Sequence, residues 1–494
     1  MSRDGWTLIT GATGFIGHYA LAQLLRRGVR CAALVRNGNG LKLLELLRDV
    51  APDLACDDSH LRIIHGSLPD RMPPVDHLHI ERVVHIAGST RFQADDGEPQ
   101  RTNVAGVQRL LSWMSARNIK DLTHVSTAYV CGRSRIAFER VEPTPPCFRN
   151  EYERTKWQAE QLVDRWTRGD RRVVIVRPSI VTGAFDTGRA TQFRGLYVVA
   201  RAVEQLARLH ADDDAARRRI TLRIRGRGDA ANQIVPVDYV AQSIAVLATK
   251  PEARGVYHVT HPAPPTNDDI RCWLESIYDV AGGRFVGDVD LPVSQRSFEE
   301  QAFYGGMRPL ADYFADAPLF DTTRAASILD SAGVTCPPID LAYVRRCIAY
   351  ARARRWGRAA SVAAYDARAA AAYFERYLPA HLPASIVSRV HPVRATVRFI
   401  VDEGEWVCRF DAGRLESVQR GPNGLREQFG YRTTMDAFWR AISGEVDGEQ
   451  LFARGEADVF GDVESALKMA AVLREFTREY PCDRRRLQPY MESS

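Results

Sequence analysis

Apolar positions at Trp6, Leu8 and Ile9 predict a short buried strand, and residues 15 to 27 then carry apolar side chains at helical spacing. Between the two stand Gly11, Gly14 and Gly17, three residues apart. Gly28 is placed to end the helix, and residues 29 to 35 read as a second strand that stops at Arg36. Strand-like runs recur at 61 to 64, 82 to 87, 122 to 126 and 172 to 176, with a helical pattern at 102 to 117. Apolar strands that alternate with helices predict an α/β fold, a doubly wound parallel sheet covered on both faces.

The pattern loosens at 182 to 230 and 262 to 340, as expected of a smaller substrate lobe over the carboxyl edge of the sheet. Residues 341 to 392 form an Ala/Arg-rich helical linker punctuated by Pro379, Pro383 and Pro392. Beyond it, residues 395 to 401 and 406 to 410 read as antiparallel strands joined at Asp402, Glu403 and Gly404, with helices expected at 435 to 442 and 463 to 476. The organisation is therefore a dinucleotide-binding domain at 1–340, the linker at 341–392 and an α+β domain at 393–494, a typical size for a domain.

Composition narrows the setting. The 494 residues are 45% hydrophobic and 26% charged, ordinary for a globular chain, and the net charge of +6 is small, which sets nucleic acid aside as a main partner. Nine scattered cysteines without a CxxC pair fit a reducing cytoplasm and argue against a structural zinc. The N-terminus runs straight into the first strand without a signal-peptide pattern, and the most apolar helix, 196 to 209, is interrupted by Arg201, Glu204 and Arg208. A soluble, cytoplasmic protein with no transmembrane segment is expected.

A strand, a glycine turn and a helix suit a pyrophosphate. Gly11 permits the turn, Gly14 lets backbone approach the phosphates and Gly17 lets the helix lie close to the strand, leaving helix N–H groups aimed at the anion. Arg36 stands about twenty residues on, where an acid usually holds the adenosine ribose, and a guanidinium there pairs with a 2′-phosphate. That favours NADPH. Tyr152 and Lys156 are four apart at the start of a helical pattern, on one face, so the ammonium can depress the phenol's pKa and hold the nicotinamide ribose. Ser126 and Thr127 put hydroxyls at a strand end. His85, His124 and His258 lie in apolar strands without a second ligand at metal spacing and read as structural, and Arg345, Arg346, Arg352, Arg354, Arg355 and Arg358 form a basic stretch.

The residues 11–17 (GATGFIG), 126–130 (STAYV), Tyr152 with Lys156, and 177–181 (RPSIV) together resemble the extended short-chain dehydrogenase/reductases. Within these, 103–106 (NVAG), 236–240 (PVDYV) and 256–260 (VYHVT) are similar to the fatty acyl-CoA reductase and carrier-protein thioester reductase branch, a likeness that spans residues 5 to 340. It implies a Rossmann-type fold. It makes Thr127, five positions before Gly132, the catalytic hydroxyl beside Tyr152 and Lys156, with Ser126 as the fallback. It also implies cofactor contacts from Gly11, Thr13, Gly14, Phe15, Ile16, Gly17, Arg36, Ala87, Lys156, Pro178 and Ser179. Two departures stand out: Gly66-Ser67-Leu68 lacks the acid that many members place near the adenine, and Ala87-Gly88-Ser89 replaces paired alanines.

The C-terminal region resembles the sterol-carrier-protein family at 396–399, 404–406, 434–438, 442–444 and 461–462, which implies an apolar tunnel for an acyl chain or sterol. The implied function is NADPH-dependent reduction of a lipophilic acyl thioester, on coenzyme A or an acyl carrier protein that the basic stretch could meet, to an aldehyde or alcohol. The same catalytic residues also suit a hydroxysteroid-type dehydrogenase or ketoreductase acting on a sterol or polyketide carbonyl. A third expectation is a lipid-binding or transfer protein with an inactive reductase domain. A sugar-nucleotide epimerase is disfavoured by Arg36.

Overall fold

A computed structural model describes residues 5–492 except 37, 55–57, 69–71, 73–74, 76, 93–95, 211–212, 308–309, 316, 358–363, 391–392, 422–426 and 454. The chain separates into two compact units. The first holds residues 1–196, 226–270 and 312–357, and the second holds 197–225, 271–311 and 358–494.

The first unit is built on seven parallel strands: β1 (Trp6–Thr10), β2 (Cys31–Val35), β3 (Leu61–His65), β4 (Ile80–His85), β5 (Asp121–Val125), β6 (Arg172–Pro178) and β7 (Gly255–Val259). Their order is β7-β6-β5-β4-β1-β2-β3. The strand order reverses between β1 and β4, and this is where open α/β sheets bind ligands at their carboxyl ends. Every residue of β1 and β2 is buried, which explains why they read as unbroken apolar runs rather than alternating ones. Leu8 and Ile9 are 0% exposed, and each such side chain contributes about 1.5–3 kcal/mol by leaving water.

Helix α1 (Phe15–Arg26) follows the glycine turn and ends as expected: Gly28 takes φ +72° and its N–H bonds to the Leu25 carbonyl at 2.8 Å. The helix expected at 102 to 117 is divided. Gln100–Ala105 winds as a π-helix before Gly106–Ala116 continues as α-helix, and the buried Asn103 lies in the wide turn with its amide turned to bonds outside the helix. Helix α2 (Glu151–Trp166) carries Tyr152 and Lys156. Helix α3 (Leu341–Ala353) also belongs to the first unit, where the Tyr343 hydroxyl donates to the Gly183 carbonyl at 2.8 Å and meets Thr182 Oγ1 at 2.6 Å.

In the second unit a mixed five-stranded sheet has the order β10-β9-β8-β11-β12, from β8 (Ala395–Val401), β9 (Gly404–Asp411), β10 (Arg414–Arg420), β11 (Phe429–Thr433) and β12 (Ala457–Gly461). The β8–β9 hairpin turns at Asp402 and Glu403, with Asp402 at φ +48°, a conformation short polar residues tolerate at turns. Helices α4 (Met435–Ile442) and α5 (Val463–Glu479) follow, and both start under an oxygen cap, from Thr434 and Asp462. The interior is aromatic: the Phe374 ring lies 4.9 Å from Trp406 and 5.5 Å from Phe438, and the Trp406 indole donates to Glu375 at 3.0 Å. Among the described residues no helix is long and apolar enough to cross a membrane. Cys56, Arg358 and Pro392 lie outside the described residues.

Candidate active site

The glycine turn is set by close contacts. A Cβ on Gly11 would stand 2.5 Å from the Ala87 nitrogen, and the residue has φ +74°. A Cβ on Gly17 would stand 2.0 Å from the Gly11 carbonyl oxygen. Gly14 occupies the N-cap of α1 with no side chain closing the helix end and no acid in the first turn. The amide groups there are left for an anion, so these residues fit a dinucleotide pyrophosphate. Phe15 is buried, whereas Thr13 and Ile16 are half-buried at the turn. Ala87, just past β4, donates its N–H to Thr10 Oγ1 at 3.3 Å, and Arg36 is exposed at the end of β2. The Ser67 hydroxyl donates to the Leu68 carbonyl at 3.4 Å.

Helix α2 is fixed at its first turn. Asn150 caps α2, its Oδ1 accepting from the Glu153 N–H at 3.0 Å, and Glu151 and Glu153 complement the helix dipole. Lys156 is 4% exposed and its Nζ donates to the Val125 carbonyl oxygen at 2.7 Å. Thr127, two residues past β5, caps a short turn through Tyr129 N–H at 3.3 Å, and its hydroxyl lies near enough to the Tyr152 phenol to draw its pKa down. The structure thus brings Thr127, Tyr152 and Lys156 together at the carboxyl end of β5. Ser126 is buried on the same strand end, and its Oγ meets no described partner. Pro178 ends β6, and the next residue, Ser179, is also buried with its N–H donating to the Val259 carbonyl at 3.3 Å.

The electrostatics differ from the sequence expectation. Burial pushes the Tyr152 phenol up to about 12, and the groups that pull it back are the Thr127 hydroxyl and the Arg194 guanidinium. Lys156 is not among them; burial brings its own ammonium down to about 8, against the attraction of Glu160. The phenol is therefore held protonated and set up to donate. Arg194 is reached from a loop outside any motif and is tied to Thr90, donating to its carbonyl at 2.9 Å.

Sequence reading also missed a buried ion pair behind the phenol. Glu153 is 0% exposed and accepts from Arg149 Nη1 at 3.1 Å and from the Tyr313 hydroxyl at 2.7 Å. Asn103, quoted above only as part of a motif, is the link to the cofactor loop. Its Nδ2 donates to the Ser89 carbonyl and to Thr155 Oγ1, each at 3.0 Å, and its Oδ1 accepts from Ser89 N–H at 2.8 Å. Arg177 is likewise structural, a fork across Glu160 of α2 at 2.6 Å and 3.0 Å.

The histidines pack as expected. His85 and His124 stack at 5.3 Å, His85 bonding Thr10 Oγ1 at 2.7 Å, and His258 donates from Nδ1 to the Asp321 carbonyl at 2.6 Å. Burial lowers His85 to about 3, His258 to about 4 and His124 well below its usual value. Among the described residues no group of side chains could hold a metal ion. Of the basic stretch, Arg346 stacks on Phe185 at 5.2 Å and Arg354 on Tyr350 at 5.5 Å, while Arg345, Arg352 and Arg355 are exposed.

Residues 9–244 match the NAD-binding family model described as male sterility protein. A ketoreductase of Stigmatella aurantiaca, acting on a 4-hydroxy-2-methyl-3-oxo-4-farnesyl-3,4-dihydroquinoline-1-oxide, is 32% identical over 37% of this chain and 52% of its own. Fatty acyl-CoA reductase 1 of Xenopus laevis is 27% identical over 51% of this chain and 57% of its own. The chain thus spans about half the length of these curated relatives. The terminal R domain of the myxalamid PKS-NRPS pathway superposes with a TM-score of 0.56 at 22% identity, covering 71% of this chain and 91% of that domain. Residues 9–244 are thus similar to an NAD-binding domain, and the chain shares the fold of that R domain.

Proposed function

We propose that the protein is an NADPH-dependent reductase of a lipophilic acyl thioester, carried on coenzyme A or an acyl carrier protein, and releases an aldehyde or alcohol. The observation that carries this reading is a Tyr152 phenol kept protonated by burial, with the Thr127 hydroxyl drawing on it and Lys156 anchored at the same strand end. A bound nicotinamide would supply the hydride. The Tyr152 phenol then gives its proton to the carbonyl oxygen as charge develops on it, and Thr127 holds that oxygen in place. Lys156 holds the nicotinamide ribose. Loss of the thiol from the resulting thiohemiacetal leaves the aldehyde. Exposed Arg36 suits the 2′-phosphate of NADPH and has no carboxylate beside it at the end of β2 to repel one.

The thioester substrate draws support from the Xenopus laevis reductase, which matches half of this chain. The Stigmatella aurantiaca ketoreductase favours a second reading, reduction of a ketone on a sterol or polyketide by the same residues. Following NADPH absorbance with long-chain acyl-CoA, acyl carrier protein thioesters and ketones tests both. NADPH consumption with thioesters is expected; activity on ketones alone would overturn the first reading. A bare lipid carrier with an inactive reductase half fits poorly with Thr127, Tyr152 and Lys156 all in place.

For residues 393–494 we infer a sterol-carrier-like lipid-binding role, on the resemblance of 396–399, 404–406 and 434–438 to that family. Mass spectrometry of lipids that co-purify with the protein tests it, and an empty domain under all loading conditions would remove it.

A further inference from the structure

The phenol of Tyr152 has an aromatic neighbourhood on the first unit that no motif announces. The Phe92 ring lies 6.2 Å from Tyr152 and stacks on Tyr313 at 5.8 Å, while Tyr313 meets Tyr129 edge-on at 5.1 Å. Phe92, Tyr152 and Tyr313 are each half-buried, so the rings keep part of their apolar surface open instead of filling a core. Phe92 and Tyr152 are too close for a substrate to slide between them. A substrate that reaches the phenol therefore passes outside this ring pair.

The rings are held rigidly. The Tyr313 hydroxyl donates to Glu153 at 2.7 Å and accepts from Asn150 Nδ2 at 2.9 Å, and the Arg149 guanidinium lies over its ring at 5.0 Å. Glu153 and Asn150 are the residue after Tyr152 and the cap of its helix, so the ring is referenced to the same turn that places the phenol. Phe92 is tied there too, its carbonyl accepting from Glu151 N–H at 3.1 Å. A wall held by a buried ion pair cannot retreat from a wide substrate as a free aromatic side chain would.

Building on the reductase reading above, we propose that Tyr313 is a specificity-determining residue: with Phe92 it forms a fixed apolar wall beside the carbonyl, so that the site takes unbranched acyl groups and rejects those branched or bearing a ring next to the carbonyl. One misplaced methylene in such a pocket changes selectivity by roughly 10–200-fold.

The test compares kcat/KM for a straight-chain acyl thioester with that for its α-branched and benzoyl counterparts in the full-length protein, Tyr313→Phe and Tyr313→Ala, each checked for an unchanged melting transition and NADPH affinity. Tyr313→Ala should raise the branched-to-straight ratio at least about tenfold. Tyr313→Phe keeps the ring and should hold that ratio within about twofold even if turnover falls. An unchanged ratio in a folded, NADPH-binding Tyr313→Ala overturns the proposal. If Tyr313→Ala does not fold, Phe92→Leu gives the same comparison, and an unchanged ratio there overturns it equally. An unaltered protein that reduces no thioester at all would instead defeat the reductase reading on which the proposal rests.

Discussion

The Lys156 ammonium is bound to the carbonyl oxygen of Val125 over 2.7 Å, on the strand that leads into Thr127. This single bond sets the depth of α2 against β5, and with it the meeting of Tyr152 and Thr127. Lys156→Met should lower turnover by two orders of magnitude or more, a loss of the size expected when a group tied to proton transfer goes. It should also change the pH dependence of stability. The lysine is brought down from 10.5 to about 8 in the folded chain, so between those values the unfolded chain binds the extra proton and stability rises with pH. Chemical denaturation of the apoprotein from pH 7 to 10 should show that rise, and Lys156→Met should flatten it.

In the proposed reduction Tyr152 and Thr127 have different duties. Tyr152→Phe removes the proton donor and should cut kcat by about 10²–10⁴-fold, with NADPH affinity unchanged within about twofold. Thr127→Val should cost less, and Thr127→Ser should restore most of the rate because the hydroxyl returns. If Thr127→Val is silent while Ser126→Ala is not, the catalytic hydroxyl is Ser126.

Gly17 and Gly28 should respond differently to an added methyl group. Gly28 has φ +72° but open space around it, so Gly28→Ala meets only backbone strain, about 1 kcal/mol. Gly17 has an ordinary φ, yet a Cβ would press to 2.0 Å on the Gly11 carbonyl. Gly17→Ala must therefore push α1 away from β1, and titration calorimetry should find dinucleotide binding weakened at least about tenfold, a loss of about 1.4 kcal/mol. Gly28→Ala should bind as the unaltered chain does.

Acid should unfold this protein early. His18 and His258 are lowered to about 4, His85 to about 3 and His124 well below its usual value, each chiefly by burial. Below pH 6.5 the unfolded chain takes up protons that the folded chain refuses, so stability falls as the pH drops from 6.5 towards 4. Each histidine adds up to about 1.4 kcal/mol per pH unit to that slope. Denaturation midpoints measured across this range should fall, and His85→Gln should make the fall shallower.

Short-range order was legible in the residues. The β1 strand, the glycine turn and α1 follow from side chains within some twenty positions of one another, and the β8–β9 hairpin and α4 come from local turn and cap chemistry in the same way. The Tyr152–Lys156 pairing was legible because helical spacing alone places both on one face. What stayed hidden depends on distant partners: Tyr313 reaches Glu153 across 160 positions, and Arg194 reaches Thr90 across 104. No periodicity carries such a pairing. The phenol's pKa was misread for a related reason, since burial, which raises it, is a property of the assembled fold while the lysine four residues away is visible in the text of the chain. The π-turn at Asn103 was read as plain α-helix because apolar spacing does not register one amide turned aside to Ser89 and Thr155.

That amide has a mechanical consequence. Asn103 is a strut with one end on the loop that follows β4 and the other on the helix of Tyr152, and both ends are buried hydrogen bonds. The loop cannot shift to admit a dinucleotide without loading the helix, and the helix cannot tilt without loading the loop. If the dinucleotide seats on that loop as proposed, its binding and the aim of the phenol are coupled through Asn103.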